Sequence, residues 1–523
     1  CQGPFHLRAG DQGREWSDAP AEAPSRLACQ IEAEATPNSA SLVLRQAGVK
    51  RSDWRVAVNG QPVGALVADE HPQSSVFAIP AGLLRSNADN EVAVESGDRN
   101  SVPDDVTVGE LRVVNAPPEE WLAAGSLSVR VVGEDGAPMP ARITIVDGLG
   151  TLVATGATTT SDLAVRTGVV YTATGSAEIP APAGRYTVWA SRGFEYSAVS
   201  KEVDIRPGQQ RRLKFRLRRE VSIPGWTAGD THLHTFERSR HGDSTVAERA
   251  IAIAGEGLDW AANTEHKLVE DMPSLDGRFA AFAGVEFTTR YGHFNMFPWP
   301  SGRALPSPDT PLADLWPRLP SLDELVVTWN HPRDTHGGYR PIDPSHYVER
   351  VAEPLDGRAF GGNAMEVVNS GAMHSDPLLL VTDWMRLLNR GVHMNAVGSS
   401  DSHTVTASLI GQARTYARTG AGRPSGAAVA AAFARGETAV SYGLAAFLER
   451  QGDRLVASVY GPSWNRAKTL LVFANGERIA TKKLAGASQA GLQWRGEVDP
   501  PPHAHDSWLA VVAVGDDEPP PFW

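Results

Sequence analysis

Gly229-Asp230-Thr231-His232-Leu233-His234 is the stretch on which the reading of this chain turns. Alternate side chains of an extended strand share a face, so His232 and His234 can grip one metal ion together. The same signature returns at five later places, each time as an apolar run ends. Leu258-Asp259-Trp260-Ala261-Ala262-Asn263-Thr264 runs into Glu265-His266, and the run 279–285 ends at Glu286 with His293 close behind. Leu325-Val326-Val327-Thr328-Trp329 meets Asn330-His331-Pro332, the run 364–369 offers Glu366, and 392–397 leads through Gly398-Ser399-Ser400 to Asp401-Ser402-His403. Helical patterns at 245–257, 376–389 and 425–435 alternate with these runs. Strands that alternate with helices and deliver polar side chains at their ends are how a β/α barrel builds a site at its mouth. Eleven of the fifteen histidines lie between His232 and His403, a clustering that core packing does not account for. Neutral imidazoles with shared carboxylates are what adjacent Zn, Mn or Fe ions require.

In order, these residues resemble the PHP (polymerase and histidinol phosphatase) metallohydrolases: Asp-x-His-x-His at 230–234, Asp243, Thr-Glu-His at 264–266, Gly-Val-Glu at 284–286, Gly-His at 292–293, Asn-His-Pro at 330–332 and Asp-x-His at 401–403. Within that family, 284–295, 365–369 and 411–416 are similar to the carbaryl hydrolase-like (CehA/McbA-type) branch. The resemblance runs from Thr227 to Tyr416 and implies a distorted seven-stranded (β/α) PHP barrel holding two to three divalent transition metal ions. By position, His232, His234, Glu286 and Asp401 would hold one ion, with Glu286 bridging to a second on His293 and His331. Asp243, His266 and His403 would hold a third. Glu265 stands where Asp is usual, which matters little in an outer role, and Glu366 stands where some relatives present another ligand. Asp230 is expected to orient a ligand imidazole.

A water held between such cations loses a proton near neutral pH and attacks phosphorus or an acyl carbon, while the metals take up charge developing on oxygen. The expected catalytic residues are Asp401, which can accept that proton, His403, and Arg333, a candidate clamp for an anionic substrate whose alternative is a surface ion pair. His336 and His374 are candidates to protonate a leaving group; His346 and His393 have no assigned role. The favoured reaction is hydrolysis of a small phosphomonoester or phosphodiester, since phosphoesterases dominate the family resembled. Carbamate or carboxylic ester cleavage is the alternative that the branch suggests. An inactive barrel that binds glycans at the cell surface is the alternative from another class.

The rest of the chain frames this region. At 523 residues it has room for about three to four domains. Hydrophobic residues at 41% and charged ones at 21% suit a globular chain, and no apolar run approaches the ~18 residues of a membrane span. A net charge of −12 without a dense basic tract argues against nucleic acid as a partner. After a polar segment, 1–26, alternating runs and turn signals such as Asn59-Gly60 predict a galactose-binding-like jelly-roll sandwich over 27–120, a place for carbohydrate in some such modules. A transthyretin- or carboxypeptidase-regulatory-like sandwich is predicted over 121–220, the metallohydrolase barrel over 221–437, and a C-terminal β extension over 438–523. The leading Cys1 resembles the lipid-bearing residue of a processed bacterial lipoprotein, which would place the chain in the periplasm or cell envelope. A trimmed chain end and a Cys1–Cys29 disulfide in a secreted protein are the other readings.

Overall fold

The computed structural model describes residues 1–9, 13–15, 19–33, 38–86, 89–97, 103–240, 242–334, 339–358, 360–369, 376–484, 490–499 and 506–515. The chain forms two compact units, Cys1–Ala190 with Val199–Arg216, and Ser191–Ala198 with Leu217–Phe522.

The first unit is all β. Phe5–Arg8, Asp105–Val114, Ala40–Ala47 and Gln73–Ile79 form one four-stranded sheet, and Arg26–Glu32, Asp89–Glu95, Arg55–Val58 and Gln61–Ala65 another. Period-two alternation sends Trp54, Val56, Leu42, Leu44, Val92 and Val106 into one core. The Asn59-Gly60 hairpin has both residues in the left-handed region, at φ 49° and 78°, as a two-residue type I′ turn requires. Part of the polar lead-in is therefore a strand, because Phe5–Arg8 pairs along Asp105–Val108. Beyond Pro118–Leu122, a short helix, five strands and then three build a second pair of sheets: Leu163–Arg166, Val169–Thr172, Ala141–Val146, Gly184–Ser191 and Val199–Ile205, and Ser176–Ala181, Gly125–Val132 and Gln210–Arg216. Cys1 and Cys29 are joined in a disulfide. That bond occupies the sulfur through which a lipid anchor on Cys1 would attach.

The second unit carries the predicted site. Ala280–Ala283, Trp260–Asn263 and Thr227–Asp230 run parallel, and an antiparallel series continues the same sheet through Arg414–Ala417, Thr438–Ser441, Ala445–Gln451, Arg454–Gly461 and Gly491–Val498. These C-terminal strands thus extend the sheet whose strand Thr227–Asp230 leads into the first histidine pair, while Glu477–Lys483, Thr469–Ala474 and Leu509–Val514 form a separate three-stranded sheet. A second sheet orders Val285–Thr289, Gly292–Phe297, Val326–Trp329, Ala364–Val368 and Asn395–Gly398, the last three parallel. These ladders form two sheets, and a closed seven-stranded barrel is not what they show. Crossover helices fall where the patterns place them. Val246–Gly255 begins at a capping box between Thr245 and Glu248, and Leu379–Asn389 links two parallel strands. Close approach of the first two strands requires Gly229, whose Cβ would lie 2.0 Å from the Trp260 indole. No helix among the described residues is long and apolar enough to cross a membrane.

Candidate metal centre

Each donor arrives where a strand ends or pairs. His232 and His234 follow Thr227–Asp230, His266 follows Trp260–Asn263, His331 follows Val326–Trp329, and Asp401 and His403 follow Asn395–Gly398. Glu286 and His293 lie on neighbouring antiparallel strands, where Thr288 is the partner of His293. Bridges between Leu233 and Ser402, and between His266 and Glu286, continue strand pairing past the sheets and bring these stretches side by side.

Two carboxylates, buried Glu286 and half-buried Asp401, organise six imidazoles. Glu286 Oε1 lies 2.9 Å from His293 Nδ1, 3.2 Å from His331 Nε2 and 3.3 Å from His232 Nε2; its Oε2 lies 2.6 Å from His266 Nδ1 and 3.5 Å from His234 Nε2. Asp401 Oδ1 lies 3.1 Å from His232 Nε2, 3.3 Å from His234 Nε2 and 3.7 Å from His403 Nδ1. Four triads have donor atoms within 4.8 Å of one another: His232-Glu286-His331, His232-His234-Asp401, His266-Glu286-His293 and His234-His266-His403. The His232, His234 and Glu286 side chains are sealed from solvent, at 0%, 0% and 1% exposed, whereas Asp401, His266 and His403 keep 24%, 25% and 23%. The cluster therefore has a closed inner half and an open outer half.

Whether these groups suit a cation follows from their protons. His232 Nδ1 faces Glu366 Oε1 at 2.8 Å and donates to it, so the neutral ring turns the Nε2 lone pair toward Asp401, Glu286 and, at 3.1 Å, His234 Nε2. A lone pair aimed at carboxylate oxygens is repulsive unless positive charge lies between them, and mixed imidazole and carboxylate donors suit a divalent transition metal. The metal-free chain answers with protons. Burial disfavours the His232 imidazolium, but Asp401, Glu286 and Glu366 outweigh it and raise its pKa well above the ordinary value. His331 follows the same balance and is raised to about 9, whereas burial, with repulsion from His403 and His232, brings His234 down to about 3. Burial also opposes charge on Glu286 and Asp401, yet the surrounding imidazoles hold both well below the usual carboxylate range. His331 and Asp401 adopt left-handed backbone, at φ 22° and 50°. Such conformations cost about 1–3 kcal/mol each in non-glycine residues and gather at functional sites.

Comparison with known proteins adds little at this distance. No protein-family model matches the chain, and no curated protein does. Among solved structures, a two-domain protein from Bacteroides vulgatus, described as containing a predicted PHP-like metal-dependent phosphoesterase, is 17% identical over 57% of this chain and 90% of its own, with a TM-score of 0.30. The Bacillus anthracis TIE protein is 14% identical over 47% of this chain and 44% of its own, with a TM-score of 0.15. A minor pilin of Streptococcus agalactiae is 14% identical over 42% of this chain and 98% of its own, at 0.18. These scores fall below that of a shared fold, so the site stands on its own residues.

Eight of the nine sequence-derived ligands meet in the triads; Asp243 does not. Its Oδ1 accepts the Val405 N–H at 2.9 Å, and its own N–H reaches His403 O at 3.1 Å, so it shapes the loop carrying His403. Glu366 is an orienting group, accepting from His232 Nδ1, the His331 N–H at 2.7 Å and Ser399 Oγ at 2.5 Å. Asp230 orients backbone instead of an imidazole: Oδ1 accepts the His232 and Ser400 N–H groups and Oδ2 that of Gly411. Glu265 Oε1 accepts Thr235 Oγ at 2.6 Å, and its Oε2 lies 4.0 Å from His234 Nδ1. Arg333 is engaged elsewhere, its Nε and Nη2 on Asp383 at 2.7 and 3.0 Å and Nη2 on Glu349 at 3.0 Å; the ion-pair alternative replaces the substrate clamp. His336 and His374 lie outside the described residues. His346 bonds the Arg340 carbonyl in a loop, and His393 is exposed.

Two residues escaped the sequence reading. Buried Arg249, on the helix Val246–Gly255, donates to the carbonyls of His234, Ser402 and Thr404 and to Ser402 Oγ at 2.7–3.3 Å. It ties the loop of His232 and His234 to that of Asp401 and His403. Asn330, read only as part of a motif, donates from Nδ2 to Glu286 Oε1 at 3.1 Å. An arginine on the otherwise apolar stretch 249–254 was the one available signal for the first.

Proposed function

We propose that this chain is a metal-dependent hydrolase of the PHP kind, acting on phosphoester bonds of a small substrate. The observation that carries the reading is the convergence of six imidazoles on two carboxylates, closed within and open to solvent on one side. His232, His234, Glu286 and Asp401 are suited to hold one divalent ion, His293 and His331 with Glu286 a second, and His266 and His403 with His234 a third. Bound there, such ions would supply Lewis acidity, acidifying a water and drawing charge from the ester oxygens.

The chain's own groups do the rest. Glu366 fixes the His232 ring by holding its Nδ1 proton, which leaves Nε2 free to donate electrons. Asp401, 3.1 Å from His232 Nε2 and 3.3 Å from His234 Nε2, is suited to balancing positive charge held by those rings. His403, on the open side and 3.7 Å from Asp401 Oδ1, is placed to pass a proton to a leaving oxygen when it does not hold a third ion. The disulfide suits a compartment outside the reducing cytosol.

The test combines metal content with turnover. Protein reconstituted with zinc or manganese and desalted should retain about two to three equivalents by elemental mass spectrometry, and should hydrolyse bis(4-nitrophenyl) phosphate or 4-nitrophenyl phosphate. Asp401→Ala should lose the activity while keeping its circular dichroism spectrum. Retention of less than about half an equivalent would sink the reading, since donor sets of this type bind such ions tightly.

A further inference from the structure

The segment Ser191–Ala198 lies in sequence between two strands of the first unit, Gly184–Ser191 and Val199–Ile205, yet clusters with the second. It is built into that unit's interior. Glu195, 2% exposed, receives Arg414 Nη1 on Oε2 and Tyr416 Oη on Oε1, both at 2.5 Å, and its carbonyl accepts the Glu220 and Val221 N–H groups. The Arg414 guanidinium lies 5.0 Å from the Phe194 ring centroid. Gly193, at φ 65°, passes where a Cβ would stand 2.1 Å from Glu256 O, so only glycine fits this entry.

The hydrogen bonds lead onward from Glu195 to the metal centre. Arg414 Nε donates to Gly411 O at 2.7 Å, and the Gly411 N–H donates to Asp230 Oδ2 at 2.8 Å. Asp230 Oδ1 then holds the His232 N–H at 3.0 Å and the Ser400 N–H at 3.1 Å. Those two amides belong to the His-x-His stretch and to the turn just before Asp401. One carboxylate oxygen therefore sets the spacing between the ligand-bearing segments, and its other oxygen is held through Gly411 by a buried arginine whose counter-charge is Glu195.

We propose that Glu195 is a positioning residue for the metal centre, acting through Arg414, Gly411 and Asp230 on the backbone of His232 and Ser400. The centre is thus completed by a segment that the sequence assigns to the preceding β module. This inference rests on the proposed metal-binding reading for one of its readouts and is independent of it for the other.

The test compares full-length Glu195→Gln and Tyr416→Phe with wild type and with Glu202→Gln, an exposed partner of Arg185. Zinc affinity is measured by chelator competition at a temperature where thermal melts show every variant folded. Losing a group that directly orients a ligand weakens metal binding about 10–100-fold; Glu195 acts through several bonds, so Glu195→Gln should weaken binding about 10-fold, Tyr416→Phe less, and Glu202→Gln should match wild type. In the metal-free proteins, amide hydrogen exchange at His232, Ser400 and Gly411 should quicken in Glu195→Gln and, to a lesser degree, in Tyr416→Phe. Should Glu195→Gln fail to fold, Tyr416→Phe carries both measurements, because it removes one bond to Glu195 without unpairing a charge. Unchanged exchange at the three amides in a folded variant overturns the proposal, as does unchanged zinc affinity where wild type binds zinc. If wild type binds no zinc while the exchange effect appears, the metal reading fails and the positioning path stands.

Discussion

Both units bury a carboxylate beside histidine, with opposite outcomes. In the first, Asp105 accepts His6 Nε2 at 2.7 Å, Arg8 Nε at 2.8 Å and the Glu15 N–H at 2.6 Å. One carboxylate meets one imidazole, and its remaining lone pairs are filled by other donors. In the second, Glu286 alone faces five imidazoles within 3.5 Å, and their ring nitrogens crowd one another as well. The first arrangement is complete as folded, whereas the second has more lone pairs than protons to bridge them. The ratio of imidazoles to carboxylates, more than the presence of either, separates a structural tie from a cation site.

The sharpest way to break this comparison is to remove one imidazole from each side. His232→Ala should lower phosphodiester turnover on the order of 1000-fold, the several kcal/mol that a metal's charge contributes to such transition states, while His6→Ala should leave kcat/KM unchanged. Equal losses in the two would erase the distinction. Next comes stability. Arg249→Met strands the His234 carbonyl in the interior, while the Ser402 carbonyl keeps the His234 N–H at 2.9 Å, so the second unit should lose about 1–3 kcal/mol in denaturant melts, with metal content falling in the folded fraction.

A smaller effect separates holding a ring from holding an ion. Glu366→Gln should weaken zinc binding about 10–100-fold in chelator competition, and because Glu366 is also a buried counter-charge to His232 in the metal-free chain, the metal-free protein should melt lower at neutral pH. The smallest prediction belongs to the first unit. Burial works against charge on Asp105, but the Glu15 N–H, His6 and Arg8 outweigh it and lower its pKa. A carboxylate lowered in this way contributes stability above its unfolded pKa of about 4 and loses it as the pH falls through the folded value. Acid melts of the wild type should therefore show a stability loss below about pH 4 that Asp105→Asn lacks, with metal content the same in both.

What the sequence made legible follows from the range of the signals. His232 and His234 declare themselves by alternation along one strand, and Glu286, His331 and Asp401 by ending apolar runs. Roles set by distant partners were not legible. Arg333 sits beside a ligand, yet its fate is decided by Asp383 and Glu349 from other elements. Asp230 was placed near the site, but its target, the backbone of Ser400 and Gly411, lies across the sheet. Asp243 occupies a motif position whose loop turns its carboxylate onto Val405. The sandwich strands were readable from turn chemistry such as Asn59-Gly60, whereas sheet order in the second unit depends on pairings that alternation cannot specify. The same limit hid the continuation of its main sheet into the C-terminal strands.

That continuation bears on how the molecule is made. Thr227 Oγ1 meets Thr419 Oγ1, 192 residues along the chain, and the strand Thr227–Asp230 pairs with Arg414–Ala417. A ribosome adding about 5–20 residues per second needs roughly 10–40 s to deliver that partner. Through this interval the strand leading into the first histidine pair has one unfilled edge, and such edges invite pairing with other chains. Recovery of folded protein should accordingly respond to translation speed and chaperone supply, since the strand that fills this edge is made after every ligand of the centre.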